Sequence, residues 1–164
     1  PHILYLAFSS NVKVGVTRKT QVPYRWIDQG AIQAIEIAEF PNRYLAGISE
    51  VALKNFYADK TNWREMLKTS SSNVDLQLER DNALEKIPKE ALDSVQTKKY
   101  STFNIDYPVK KYPEKPKSLN LPKEKSFTNE LAGVKGQYLI FNDGTVFNVR
   151  SNEGVVIDLE IIKS

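Results

Sequence analysis

The sequence contains no cysteine and only one histidine among its 164 residues. The absence of cysteine excludes disulfides, thiol nucleophiles and cysteine-ligated zinc sites within this sequence. No apolar run approaches the ~20 residues that a membrane-spanning helix needs, and no signal-peptide pattern opens the sequence. The histidine, His2, lies at the chain end, which argues against catalysis by an imidazole. We therefore predict a cytoplasmic protein that does not contact a membrane.

Positive charge is in modest excess and is concentrated in one segment. The formal net charge is +3, whereas residues 97–125 alone carry eight basic and three acidic residues. The same segment holds four of the eight prolines. Two interpretations fit this composition: a basic surface that lies against nucleic-acid phosphates, or a solvated, proline-rich linker.

Hydrophobic periodicity predicts both strands and helices. Alternating apolar residues indicate strands, and apolar residues three or four positions apart indicate helices. The predicted strands are one that begins near residue 2, then 12–17, 32–40, 101–107, and segments within 135–141, 145–150 and 155–161. The predicted helices cover 24–30, 41–57 and 73–87. Asp-Gly and Glu-Gly turns between the last strands predict a β-meander.

These elements divide the sequence into four parts. We predict an α/β module (1–70), a helical connector (71–97), a basic proline-rich linker (98–125) and a β-meander (126–164). The expected fold class is α+β: a three-stranded antiparallel sheet with flanking helices, followed by a small β-rich C-terminal meander.

Polar residues of the first module stand in an order that resembles the GIY-YIG nuclease superfamily. The segments ILY (3–5) and KVGVT (13–17) stand where that superfamily has Gly-Ile-Tyr and Lys-Ile-Gly-x-Thr. Arg25 follows on the predicted first helix, where the superfamily has an arginine. The segment LAGISEVAL (45–53) carries Glu50 at the position of a metal-binding glutamate. The resemblance covers about the first 70 residues, and it implies a GIY-YIG-like sheet.

The resemblance implies a metal-dependent endonuclease, a hydrolase that cleaves phosphodiester bonds of DNA or RNA. It implies that Glu50 holds Mg²⁺ or Mn²⁺ and that Arg25 clamps the phosphate. It also implies that Tyr5 and Lys13 handle protons. Gly15 would let a phosphate approach the backbone. The expected substrate-binding residues are Gly15, Thr17, Arg18 and Asn62.

Three positions depart from the superfamily pattern. Ile3 replaces the first glycine, Lys13 replaces the second tyrosine, and Gln29 stands where a histidine or tyrosine follows the arginine by four residues. These departures leave a second hypothesis open: a catalytically inactive module that binds nucleic acid or another protein.

Each candidate residue also has an ordinary structural explanation. Tyr5 on an apolar strand is equally typical of a core tyrosine, and Lys13 of the solvated face of a strand. Arg25 could pair with Asp28 or Glu50, and Glu50 could pair with the lysine four residues later on the same helix.

Nearly the whole sequence also resembles an uncharacterised bacterial family, domain of unknown function 2797. The resemblance is carried by the segments VKVGVTR, RWIDQGA, PNRYLAG, DKTNWR and KGQYLIF. Members of that family have an additional N-terminal region with cysteines, so the resemblance implies a possible metal site outside this sequence. It implies no activity; only the nuclease resemblance does.

Overall fold

A computed structural model describes residues 1–95 and 100–162 of the chain. The strands are β1 (His2–Phe8), β2 (Val12–Arg18), β3 (Gln33–Phe40), β4 (Phe103–Asn104), β5 (Lys117–Ser118), β6 (Leu131–Lys135), β7 (Tyr138–Phe141) and β8 (Thr145–Asn148). The helices are α1 (Tyr24–Asp28), α2 (Arg43–Leu53), α3 (Trp63–Lys68), α4 (Leu76–Leu84), α5 (Lys89–Leu92) and α6 (Leu121–Glu124). The predicted α+β class is confirmed. No helix in the described ranges is long and apolar enough to cross a lipid bilayer.

The first sheet has the strand order β2-β1-β3-β4. Strand β1 is central and pairs antiparallel with β2 on one side and β3 on the other. The first three predicted strands are therefore confirmed. The two-residue β4 adds a fourth strand by pairing Phe103 with Ala34, so the sheet is larger than the three strands predicted.

Helices cover both faces of this sheet. Helices α2, α4 and α5 pack on one face, around a core that includes Leu4, Leu6 and Phe40. On the opposite face, Trp26 of α1 packs against Ile3 and Tyr5. The short helix α1 therefore lies over the face that carries the odd-numbered residues of β1.

All three predicted helices are shorter than expected, and α1 ends at Asp28 rather than at residue 30. Helix α2 ends at Leu53 rather than near residue 57. Its first turn is capped by Asn42, whose side chain accepts a hydrogen bond from the Leu45 N–H. Helix α4 spans Leu76–Leu84 rather than the predicted 73–87, and its cap is Asp75, whose carboxylate accepts hydrogen bonds from two backbone N–H groups. Both caps supply acceptors for the free N–H groups of a first turn.

The second sheet has the order β5-β8-β7-β6 and differs from the predicted meander. The prediction of a strand over 155–161 is wrong: these residues form no strand, and Val156 and Leu159 are largely exposed. The physical reason is that β5 already occupies the free edge of β8, where Lys117 N–H and Leu119 N–H donate to carbonyls of residues 144 and 146. Strand β6 fills the opposite edge of the sheet.

The segment predicted as a linker contributes to both sheets over its described part, 100–125. It supplies β4 to the first sheet and β5 to the second. Ile105, Pro113 and Pro116 are buried, so this part of the segment is packed rather than solvated. The predicted boundary at 97/98 lies outside the described residues.

The second half of the chain contacts the end of helix α1 and the turn that follows it. A Cβ added to Gly136, in the β6–β7 turn, would lie 3.1 Å from the Asp28 carbonyl oxygen and 3.0 Å from the Gly30 nitrogen. The Tyr107 hydroxyl lies 3.0 Å and 2.8 Å from the carbonyl oxygens of Ile27 and Ala31, to which it donates. The turn that follows α1 is therefore held by residues from the second half of the chain.

Candidate functional site

The candidate site lies on the sheet face covered by α1. Tyr5 of β1 is paired with Gly15 of β2, and Ala7 is paired with Lys13. Because side chains alternate along a strand, Lys13, Gly15 and Thr17 share one face with Tyr5. The hairpin therefore brings the two residues predicted to handle protons to diagonally neighbouring positions.

The Tyr5 ring lies directly over Gly15. A Cβ added to Gly15 would lie 2.5 Å from the Tyr5 hydroxyl oxygen and 2.7 Å from the adjoining ring carbon. The close approach that glycine permits here is made by Tyr5, and not by a substrate phosphate as the sequence suggested. Gly15 therefore contributes to the site by positioning the phenol.

Two polar side chains from α1 and its C-cap, Arg25 and Gln29, act on the Tyr5 hydroxyl. The Gln29 side-chain amide donates to the Tyr5 oxygen at 2.8 Å and to the Arg25 carbonyl at 2.7 Å. The positive charge of Arg25 also lowers the pKa of the phenol. Burial raises the pKa of Tyr5, and the bonds from Gln29 and the Arg25 charge only partly oppose this. The phenol therefore keeps its proton at neutral pH, and none of the described residues accepts a bond from it.

Lys13 is a buried lysine without a carboxylate partner among the described residues. Its side chain donates to the Thr61 hydroxyl at 2.8 Å, and the whole residue is 7% exposed. The chain reaches this position because Val14 N–H donates to the Ala58 carbonyl at the edge of β2. Burial, followed by the positive charge of Arg25, lowers the pKa of Lys13 to about 8. The expectation of a solvated lysine on an open strand face is therefore wrong.

Glu50 lies on α2, which packs on the opposite face of the sheet from α1. Its negative charge still raises the pKa of Tyr5, as the weakest of the influences on that phenol. Its carboxylate lies 3.9 Å from the Lys54 ammonium, which confirms the pairing expected one helical turn apart. That separation is too long for a hydrogen bond, so the carboxylate oxygens keep their capacity to bind a cation.

The donor set fits a hard divalent cation only in part. Within residues 1–95 and 100–162, no group of three or more acidic or histidine side chains could hold a metal ion alone. A single carboxylate such as Glu50 suits Mg²⁺ or Mn²⁺, which keep several water ligands and take others from a substrate phosphate. Glu50 would therefore hold such an ion together with water and a phosphate.

Positive charge dominates the site. Neither Arg25 nor Lys13 forms an ion pair within the described part of the chain, so the pairing of Arg25 with Asp28 or Glu50 is not observed. Two unpaired cations and one carboxylate leave a net charge of about +1 around the phenol. Such a site attracts anions, and an arginine fork matches phosphate geometry.

The remaining predicted substrate-binding residues have different surroundings. Thr17 is buried, on the same face as Lys13. Arg18 is exposed at the end of β2, and its neighbour Lys19 is engaged with Glu39 at 2.8 Å. Asn62 caps α3, where its side-chain oxygen accepts from two backbone N–H groups, so this atom is already engaged.

Sequence reasoning placed neither Gln29 nor Thr61 in the functional site. The signal for Gln29 is its spacing, since it lies one helical turn after Arg25 and therefore on the same face of α1. Thr61 gives no such signal. It reaches Lys13 only because the loop after α2 returns to the edge of β2, a contact between residues 48 positions apart.

Comparison with known proteins identifies the family to which the chain belongs. Neither the curated proteins nor the solved structures contain a significant match to the chain. One family model does match, and it covers residues 1–157. The chain therefore belongs to the family described as protein of unknown function, DUF2797.

Proposed function

We propose that the chain binds nucleic acid through a phosphate at the Tyr5–Lys13–Arg25–Glu50 cluster and hydrolyses the phosphodiester there with Mg²⁺ or Mn²⁺. The observation that carries this proposal is the convergence of two unpaired cations on a phenol whose proton has no acceptor among the described residues. A phosphate supplies both the missing negative charge and the missing acceptor.

The residues of the cluster have different roles in phosphate binding. The exposed Arg25 is placed to reach phosphate oxygens from solvent, while the buried Lys13 supplies charge from the sheet side. The Tyr5 hydroxyl donates to a phosphate oxygen, because its own oxygen already accepts from Gln29. A divalent cation held by Glu50 would add Lewis-acid stabilisation of the transition-state charge.

Hydrolysis also requires two proton movements. Water forms the new bond to phosphorus and loses a proton, while the departing oxygen gains one. With a pKa of about 8, roughly a tenth of the Lys13 amines are neutral at pH 7 and can accept the proton of the water. Tyr5 stays protonated and can supply the proton that the departing oxygen gains.

Cleavage of labelled DNA and RNA oligonucleotides tests this function. We expect cutting with Mg²⁺ or Mn²⁺ that a chelator stops. Glu50→Gln keeps the size of the side chain and removes its charge, so it should lower the cleavage rate by about a hundredfold or more. Glu90→Gln on α5 makes the same change at an exposed position outside the cluster and should cut like the wild type.

The possible outcomes separate catalysis from binding. If the wild type does not cut but retains oligonucleotides in a salt-sensitive way, and Arg25→Ala loses them, the hydrolase is overturned and an inactive nucleic-acid-binding module remains. If the wild type neither cuts nor binds, the whole proposal is overturned.

A further inference from the structure

A second group of basic residues lies at the far end of β2 from Lys13. His2 and Arg18 are opposite each other on β1 and β2, and His2 is also opposite Phe40 on β3. Arg43 follows three residues later as the first residue of α2. The fold therefore gathers His2, Arg18 and Arg43 at one corner of the first sheet.

The charges of this corner lack counter-charges in the described part of the chain. Arg18 and Arg43 are exposed, and neither forms an ion pair there. Burial lowers the pKa of His2, and the positive charges of Arg43 and Arg18 lower it further, with no acidic group among the described residues opposing them. The His2 Nδ1 atom is buried and has no hydrogen-bond partner within residues 1–95 and 100–162. Unpaired positive charge at close quarters favours an anion.

One face of α2 connects this corner to the Tyr5 cluster. Arg43, Gly47, Glu50 and Lys54 are separated by four, three and four residues, so they lie on one side of the helix. Seven residues separate Arg43 from Glu50, which corresponds to about 10 Å along the helix axis. The corner and the cluster therefore lie at the two ends of a single helical face.

The middle of this face is open. A Cβ added to Gly47 would meet no atom of the described residues within 4 Å, apart from the backbone of its own helix. Glycine inside a helix costs about 0.5–1 kcal/mol relative to alanine, and here no packing against the chain requires it. The consequence is an unobstructed surface between Arg43 and Glu50. We call the surface formed by Arg18, Arg43, Gly47 and Glu50 the α2 track.

We propose that the α2 track carries a nucleic-acid strand whose phosphates contact Arg18 and Arg43 while another phosphate occupies the Tyr5 cluster. This inference rests on the proposed function. A length of about 10 Å corresponds to about three nucleotides of a duplex strand at 3.4 Å each. A small isolated anion would fill only one of the two charged ends, whereas a strand connects them across the open face at Gly47.

Binding of labelled oligonucleotides at several salt concentrations, with a chelator present to prevent cutting, tests the track. The double variant Arg18→Ala, Arg43→Ala removes two expected phosphate contacts. Its slope of log affinity against log salt should be shallower by about 1.4–1.8, because each contact contributes about 0.7–0.9. The matched pair Lys115→Ala, Lys117→Ala removes the same charge from exposed positions near the second sheet, and its slope should stay unchanged.

Two further comparisons distinguish a track from general attraction. A dinucleotide cannot span the track, so its affinity should not respond to the double variant. At the open position, Gly47→Glu should weaken oligonucleotide binding more than Gly47→Gln, because the two side chains are equal in size and differ in charge. Thermal melts of each variant establish that it is folded.

The inference and the proposed function fail in different ways. If the wild type binds oligonucleotides and Arg25→Ala weakens binding, but the double variant and Gly47→Glu bind normally, the track is overturned and the function stands. If the two lysine substitutions flatten the salt slope as much as the arginine substitutions do, binding follows total charge and the track is again overturned. If the wild type does not bind at all, both are overturned.

Discussion

Replacing Gly15 with alanine is expected to destabilise the protein by about 1–3 kcal/mol, the usual cost of inserting a methyl group into packed space. The new Cβ would lie 2.5 Å from the Tyr5 hydroxyl oxygen, so the ring must move. Movement of the ring also disturbs the hydrogen bond from Gln29. For a chain of this size, such a loss lowers the melting temperature by roughly 2–4 °C per kcal/mol. The same variant should lose the cleavage activity that we propose.

Gly47→Ala is the matched control for this experiment. It makes the same chemical change in a helix with open space, and should stabilise the protein by about 0.5–1 kcal/mol. A double-mutant cycle with Tyr5→Leu isolates the contact, because removing the phenol should shrink the cost of Gly15→Ala. A melting temperature for Gly15→Ala equal to that of the wild type would contradict the close approach of the ring.

Lys135→Met is expected to change how stability depends on pH. Lys135 is fully buried and donates to the carbonyl oxygens of Met66, at 2.8 Å, and Thr69, at the end of α3. The rings of Tyr107 and Tyr112 lie 5.4 Å and 5.3 Å from its ammonium. Burial lowers the pKa of Lys135 to about 8, whereas an unfolded lysine titrates near its ordinary value of 10.5.

The sign of the effect follows from proton binding. Below the folded pKa, both states carry the proton and stability does not change with pH. Between about pH 8 and 10.5 the unfolded state keeps a proton that the folded state has lost, so the stability of the wild type rises with pH. From about pH 7.5 to 9.5 the wild type should gain about 2 kcal/mol relative to Lys135→Met.

Urea unfolding of both proteins at the two pH values measures this difference. Lys13 has a similarly lowered pKa, but it is present in both proteins and cancels in the comparison. Equal changes with pH in the wild type and the variant would show that Lys135 titrates normally in the folded state.

Local sequence patterns were sufficient to predict the first three strands and the position of helix α1 between the second and the third. Residues 2–18 alternate and turn within a few residues, so pairing, register and the shared face of Tyr5 and Lys13 follow from short-range rules. The same reasoning could not decide what occupies the space over Gly15. A ligand and a neighbouring ring leave the same signal in the sequence, a glycine within a strand.

Long-range contacts account for what the sequence could not predict. Strand β5 is two residues long and has no periodicity of its own, yet it takes the edge of β8 that residues 155–161 were expected to use. Lys13 pairs with Thr61 across 48 positions, and no local rule connects them. The burial of Lys13 and Lys135 could not be predicted from the sequence, because lysine is rarely buried.

The Tyr107 hydroxyl donates hydrogen bonds to the carbonyl oxygens of Ile27 and Ala31, which precede it by 80 and 76 positions in the chain. Closing a loop of that length costs conformational entropy before any contact is made, and contacts that are distant in sequence slow folding. Helix α1 can form early, but its final orientation depends on this late closure. During synthesis from the N-terminus, Arg25 and Gln29 would therefore reach their places over Tyr5 only after residue 107 has emerged. The protein should acquire its charged site as one of the last steps of folding, even though every residue of that site is among the first 61 to be made.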